Sequence, residues 1–146
     1  MTRSSAVVID AGVGIYQVIT DPLSEKVDVR WSDWIQQGMN VCAPSLWLNE
    51  VTSVLHKIHM QKLLSEERAM EALDALLGLS IELHDTDSET CRQAYVWATR
   101  LGQYQAHDGF YIALAERLDV PFWTTDQRLV NRARQLSLSW VHWVGE

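Results

Sequence analysis

A three-layer α/β sandwich built on a central, mainly parallel sheet is the fold class this sequence predicts. Three observations lead there. Short apolar runs alternate with helical stretches, an order that pairs strands in parallel and needs crossover helices on both faces of the sheet. The first run, Ala6 to Ile9, is wholly apolar and rich in β-branched residues, as a strand buried on both faces must be. The chain has 146 residues without repeats, linkers or low-complexity tracts, so a single domain over 1–146 is expected.

The elements follow in order. Asp10 sits where the first strand emerges from the core. After a loop around Asp21 and Pro22, residues 27–37 carry Trp31, Trp34 and Ile35 at helical spacing, and Val41 to Ala43 is a second strand closed by Pro44. From Ser45 to Gln61, Trp47, Val51, Val54, Leu55 and Ile58 form one stripe, with Glu50 about 80° from its centre and so on the border of the buried face. Ser65 starts a helix that runs to Leu77 and stops at Gly78. Ile81 to His84 alternates like a strand, and Asp87 or Ser88 caps a helix through Cys91, Ala94, Tyr95 and Ala98 to Leu101, ended by Gly102. Asp108 opens a helix over 109–118 with Phe110, Ala113, Leu114 and Leu118 facing inward. Pro121 to Thr125 is a strand that delivers Asp126 to a helix near Gln127, and a last strand fits Ser139 to Val144.

Composition excludes several classes. With 47% hydrophobic and 21% charged residues the chain has a globular make-up. Twelve Lys and Arg against 19 Asp and Glu give −7, which argues against coating nucleic acid or an anionic membrane by bulk charge and leaves room for a local basic groove. No run is long or apolar enough for a secretion signal or a membrane span. Cys42 and Cys91 stand apart with no CxxC pairing, so neither a zinc ribbon nor a disulfide framework is expected, and a reducing cytoplasm fits.

Chemistry is expected at the carboxyl ends of the strands, where open α/β sheets bind ligands. Asp10 and Asp126 end strands, Asp108 starts the helix before the late strand, and Glu50 borders the core; if the first and fourth strands are neighbours, all four converge. Each acid alone could be a turn, cap or solvated helix residue, and their joint placement is the signal. Two carboxylates 4 Å apart repel by about 4 kcal/mol at an effective dielectric of 20, so such a cluster takes up protons or a divalent cation, and all-oxygen ligation favours Mg²⁺ or Mn²⁺ over zinc. The lysines, Lys26, Lys57 and Lys62, lie far from any late strand, which weakens a receiver-domain or aspartyl-phosphate reading. Gly12-Val13-Gly14 lacks the third glycine of a dinucleotide fingerprint, and Asp10 would repel a pyrophosphate; no GxxxxGK[ST] or GxSxG motif is present.

The Val7-Val8-Ile9-Asp10-Ala11 start, Ala43-Pro44 leading into Leu48-Asn49-Glu50-Val51, the run from His107 to Glu116, and Trp123 to Leu129 together resemble a PIN domain in order and spacing across nearly the whole chain. The short single-domain form is similar to VapC toxins, the ribonuclease half of type II toxin–antitoxin pairs. The resemblance implies an acidic cluster of Asp10, Glu50, Asp108 and Asp126, with Thr124 beside it as a hydroxyl that orients an acid, a water or a phosphate. It implies Mg²⁺- or Mn²⁺-assisted phosphodiester hydrolysis in which Asp10 and Asp108 hold an ion, while Glu50 and Asp126 complete a second site or orient the attacking water. Two positions depart from the pattern: Gly12 stands where Ser or Thr is common near the metal, removing a hydroxyl, and Gly109 stands where Ala is usual, weakening a helix start.

The expected function is therefore a cytoplasmic, metal-dependent endoribonuclease toxin with RNA as substrate and a small antitoxin protein as partner, without a membrane. The alternatives are a catalytically weak PIN domain that binds RNA or a partner, and a metal-dependent phosphatase of small phosphoesters. Arg128 and Arg132, at i and i+4 in the only local excess of positive charge, are the expected phosphate contacts. His107 is expected to serve a helix start, and His56 with His59 is half a zinc site that nothing completes. The seven Trp residues are expected mostly in the core, and for Trp140 and Trp143 the alternative to core packing is a homodimer or antitoxin interface.

Overall fold

The computed structural model describes residues 6–146; the first five residues of the expected domain lie outside the described residues. Five strands form one sheet in the order β3-β2-β1-β4-β5, with every neighbouring pair parallel, and helices flank it. The strands are β1 (Ala6–Ile9), β2 (Asn40–Pro44), β3 (Glu82–His84), β4 (Phe122–Thr124) and β5 (Val141–Trp143). The chain winds outward from β1 through β2 to β3 and then returns to the other side of β1 for β4 and β5. The winding thus reverses between β1 and β4, and the crevice at their carboxyl ends is the place where such sheets bind ligands.

Seven helices lie among the described residues: α1 (Ala11–Val18), α2 (Ser24–Gln36), α3 (Leu46–Met60), α4 (Glu66–Leu77), α5 (Ser88–Leu101), α6 (His107–Leu118) and α7 (Gln127–Gln135). The expected elements include none over 11–18, where α1 forms although Gly12 and Gly14 have low helix propensity. Both glycines answer to packing across the fold. A Cβ on Gly14 would lie 2.6 Å from the Trp47 ring, and one on Gly12 would lie 2.1 Å from Thr125 Oγ1. Asp10 caps α1, since its Oδ1 accepts the Val13 amide at 3.1 Å.

Along α3, Trp47, Val51 and Leu55 are buried as the stripe predicts, whereas Val54 reaches solvent. On α2, Trp34 is buried against Trp123, with ring centroids 5.9 Å apart, and Ile35 is exposed. The expected inward face of α6 is corrected. Phe110 and Leu118 are only partly buried, while Tyr111, Ile112, Ala113, Leu114 and Ala115 are buried, because α6 packs against both α5 and the sheet and leaves His107, Glu116 and Arg117 to solvent. Gly109 is buried there, and a Cβ on it would meet the Ala94 carbonyl oxygen at 2.3 Å. Its small size lets α5 and α6 approach; the weaker helix start comes with that contact. Tyr95 on α5 is exposed.

Trp140 meets Trp97 edge to face at 6.5 Å, and Trp143 Nε1 donates to the Thr125 carbonyl at 3.3 Å, so both rings pack against the core. No helix of the described residues is long and apolar enough to cross a membrane.

Candidate active site

Asp10 leaves β1 at its carboxyl end, and its backbone is pinned on both sides. Its amide donates to the Trp123 carbonyl on β4 at 3.3 Å, and its carbonyl accepts Trp47 Nε1 from α3 at 3.1 Å. The second bond ties the first turn of α3, and with it Glu50, to the end of β1. The side chain is held as firmly. Thr124, fully buried on β4, donates its hydroxyl to Asp10 Oδ2, and the Thr125 amide adds a bond at 3.3 Å. The Thr124 oxygen also accepts the Asp126 amide at 3.0 Å, so one hydroxyl links both acids. Asp126 is exposed and caps α7, its Oδ1 accepting the amides of Arg128 and Leu129.

The other side of the crevice comes from α3 and α6. Glu50 Oε1 accepts the hydroxyl of Tyr111, and Oε2 lies 3.9 Å from His107 Nδ1. Tyr111 stacks on Phe122 at 5.7 Å and stays protonated, since burial and the nearby Glu50 push its pKa far above the usual value. Asp108 Oδ2 accepts Gln103 Nε2 at 2.8 Å. Glu50, Asp108 and His107 line an open groove of about 680 Å³ together with Gly102, Gln103, Tyr104 and Gln105. The Tyr104 ring is fully exposed on that rim.

Electrostatics set these groups apart from ordinary surface acids. Burial pushes the Asp10 carboxyl up to about 6 against the pull of its hydrogen bonds, and Asp108 adds to the rise. Asp108 is itself raised, first by burial and then by Asp126, with Gln103 and His107 opposing. Among the described residues no Lys or Arg side chain bonds any of the four acids. The site is an excess of partly buried negative charge that asks for a cation.

The donors fit a hard, hydrated one. All are carboxylate oxygens, the ligands that hard divalent ions prefer, although no three of the acids bring ligand atoms within 4.8 Å of one another. Asp10, Asp108, Glu50 and Asp126 are the residues that would hold it.

The structure therefore brings Asp10, Thr124 and Asp126 into one bonded group and sets Asp108 and Glu50 across from it. The expected basic pair divides. Arg132 is spent on the α5 end, with Nε donating to Leu101 O at 3.3 Å and a terminal nitrogen to Arg100 O at 3.0 Å, while Arg128 is exposed and forms no side-chain bond among the described residues. Arg134 pairs with Glu146. His107 opens α6 and faces Glu50. His56 and His59 lie with rings 6.4 Å apart, and His59 Nδ1 contacts the Leu64 carbonyl. Sequence reasoning missed Tyr111, Gln103, Tyr104 and Thr125. The hydroxyl that Gly12 lacks has a counterpart in Thr125 Oγ1, which stands where a side chain at position 12 would begin.

Comparison with known proteins agrees with this fold. A family model described as PIN domain matches residues 7–135. Ribonuclease VapC12 of Mycobacterium tuberculosis is 28% identical over 125 residues, covering 86% of this chain and 90% of the relative. Among solved structures, VapC20 of M. tuberculosis, described as a Sarcin-Ricin loop cleaving toxin, aligns with a TM-score of 0.64 at 13% identity, over 86% of this chain and 93% of that one. VapBC2 from Rickettsia felis, bound to a DNA fragment from its promoter, aligns with a TM-score of 0.67 at 11% identity, over 94% and 98%. These similarities carry the fold.

Proposed function

The chain belongs to the PIN domain family, and from that premise we propose that it is a metal-dependent endoribonuclease, the toxin of a toxin–antitoxin pair, acting in the cytoplasm as one PIN-like domain over 1–146. The observation that carries the reading is the partly buried acidic crevice at the reversal point of the sheet, where among the described residues no Lys or Arg side chain bonds the four acids and burial pushes Asp10 up to about 6. A relative named as a ribonuclease covers most of the chain and supports RNA as the substrate.

A bound Mg²⁺ or Mn²⁺ would neutralise charge developing on the phosphate and ease ionisation of the attacking water. Asp10 and Asp108 would be its main holders. Thr124 fixes Asp10 by donating to it, and Tyr111 fixes Glu50 in the same way, so both carboxylates face the crevice before substrate arrives. Glu50 and Asp126 orient the water or complete a second ion site. His107 stands at the rim with Nδ1 3.9 Å from Glu50 Oε2. Arg128 contacts backbone phosphates, joined by Arg132 only if it releases the α5 carbonyls, and exposed Tyr104 offers a face on which an unpaired base stacks.

A partner would cover apolar surface. Between α3 and α4 lies a groove lined by Leu55, His56, His59, Met70 and Leu73, and Met60 and Leu63 are exposed at the end of α3 and just after it. VapBC2 from R. felis, a solved complex of the same fold, supports a protein partner.

The test is cleavage of a pool of structured RNAs by the purified protein with Mn²⁺, with Mg²⁺ and with EDTA, beside Asp10→Asn. Cutting that needs metal and is lost in the variant is expected. Equal cutting by both proteins, or turnover of mononucleotide phosphoesters with intact RNA, would overturn the reading.

A further inference from the structure

The acidic crevice is not the only cluster of potential ligands. At the β3 edge of the sheet, the register of the parallel β2–β3 pair sets Cys42 beside Glu82 and Pro44 beside His84. Cys42, Glu82 and His84 are the one group of three Cys, His, Asp or Glu residues among the described residues whose ligand atoms all lie within 4.8 Å of one another. Cys42 is buried, its Sγ 3.5 Å from Glu82 Oε2, and His84 Nε2 is 3.7 Å from Glu82 Oε1. Tetrahedral zinc with ligands at its usual bond lengths has ligand-to-ligand edges of roughly 3.4 to 3.6 Å, so both separations need only a few tenths of an ångström of adjustment.

A second observation points to a ligand. His84 Nε2 is buried without a hydrogen-bond partner, the only such side-chain nitrogen or oxygen among the described residues. Buried polar atoms are normally satisfied, and an orphan beside a thiol and a carboxylate is a coordination position waiting for its ion. The exposed Glu82 leaves the cluster open to solvent on one side, an entry path and room for a fourth ligand from water.

We propose that Cys42, Glu82 and His84 form a second metal site that takes a borderline-soft divalent ion of the zinc class, with water as the fourth ligand. Sulfur and imidazole separate this site from the all-oxygen crevice, which takes hard ions. On binding, the thiol proton leaves to solvent and the thiolate bonds the ion. The ion then clamps the three-residue edge strand β3 onto β2. Because the Ser45 amide donates to the His84 carbonyl at 2.9 Å, the same clamp steadies the entry to α3, the helix that carries Glu50.

Cobalt is the probe, since a tetrahedral thiolate site gives it intense visible bands and a sulfur-to-metal charge-transfer band. Metal-free full-length protein carrying Cys91→Ser, which removes the other thiol, is titrated with Co²⁺ and then with Zn²⁺. One equivalent of cobalt should develop both bands, zinc should bleach them, and Cys42→Ser should abolish them. Glu82→Gln, at an exposed position where folding is not at stake, should weaken cobalt binding by about tenfold or more, the size seen when even an outer partner of a metal ligand is lost. Weak octahedral bands alone, or a charge-transfer band that survives Cys42→Ser in the Cys91→Ser background, would overturn the proposal.

Discussion

The acidic crevice and the β2–β3 edge gather ligand groups in opposite ways. The crevice assembles oxygens from β1, α3, α6 and the β4–α7 junction, residues separated by as much as 116 positions, and holds them apart with dedicated hydrogen-bond donors. The edge takes sulfur, imidazole and a carboxylate from two adjacent strands and leaves a ring nitrogen unpaired. Charge differs as well. The crevice carries carboxylates forced above their usual range, whereas burial first and Glu82 second push the Cys42 thiol up to about 12, so the metal-free edge holds a neutral thiol. The lesson is that ion choice follows from how a site is built. Long-range packing can space hard oxygens for a hydrated ion, while strand register packs soft ligands close enough for a tetrahedral one.

The largest effect should come from the crevice. Asp108→Asn keeps the helix start and the bond with Gln103 yet removes a buried charge, and RNA cleavage should fall at least about a thousandfold with unchanged circular dichroism. A fall of only a few-fold would remove Asp108 from the ion-holding set.

Next is the pH dependence of stability without metal. The Asp10 carboxyl titrates at 3.8 in the unfolded chain and at about 6 in the fold. Below 3.8 it is neutral in both states and its contribution is fully present. Between the two values the unfolded chain releases the proton first, so stability declines as pH rises and the loss is complete above 6, about 3 kcal/mol in all. Melts of wild type and Asp10→Asn at pH 4 and pH 7.5 should show this decline in the wild type and a smaller one in the variant. Parallel slopes would mean that the carboxyl is not buried as described.

Gly109→Ala asks whether the crevice depends on helix packing. The added Cβ meets the Ala94 carbonyl, so α5 and α6 must separate, at a cost of about 1 to 3 kcal/mol in urea unfolding. An alanine tolerated there would show that the close approach is dispensable. Tyr111→Phe, which removes the donor to Glu50, should slow cleavage about tenfold while leaving the fold intact. The smallest effect sharpens the contrast: Cys42→Ser in a zinc-free, Mg²⁺-containing assay should leave cleavage within twofold of wild type, and a large loss would merge the two sites into one.

Much of the crevice was legible in the sequence because three of its acids sit at element boundaries. Asp10 and Asp126 follow strands and cap helices, and Asp108 opens α6, so local pattern alone locates them. Glu50 was legible from the α3 stripe. What supports these acids was hidden. Tyr111 reaches Glu50 across the fold on a helix buried on several sides, where no single apolar stripe exists to be read. The purpose of Gly12 and Gly14 lay in Thr125 and Trp47, contacts made only after folding, and α1 was missed with them. The edge cluster was invisible for a similar reason. Cys42 has no cysteine neighbour in sequence, and only the register that sets it opposite Glu82 supplies its companions.

The central claim is that the crevice is an anionic site built to bind a hard divalent ion, and Mn²⁺ binding tests it most directly. Free Mn²⁺ can be followed by its electron paramagnetic resonance signal while metal-free protein is titrated at pH 7.5, with wild type beside Asp10→Asn and Asp108→Asn. The account predicts saturable uptake by wild type, loss of that uptake in both variants, and weaker binding below pH 6 as protons compete for Asp10. Uptake that is equal in all three proteins, or absent from folded wild type, would contradict it.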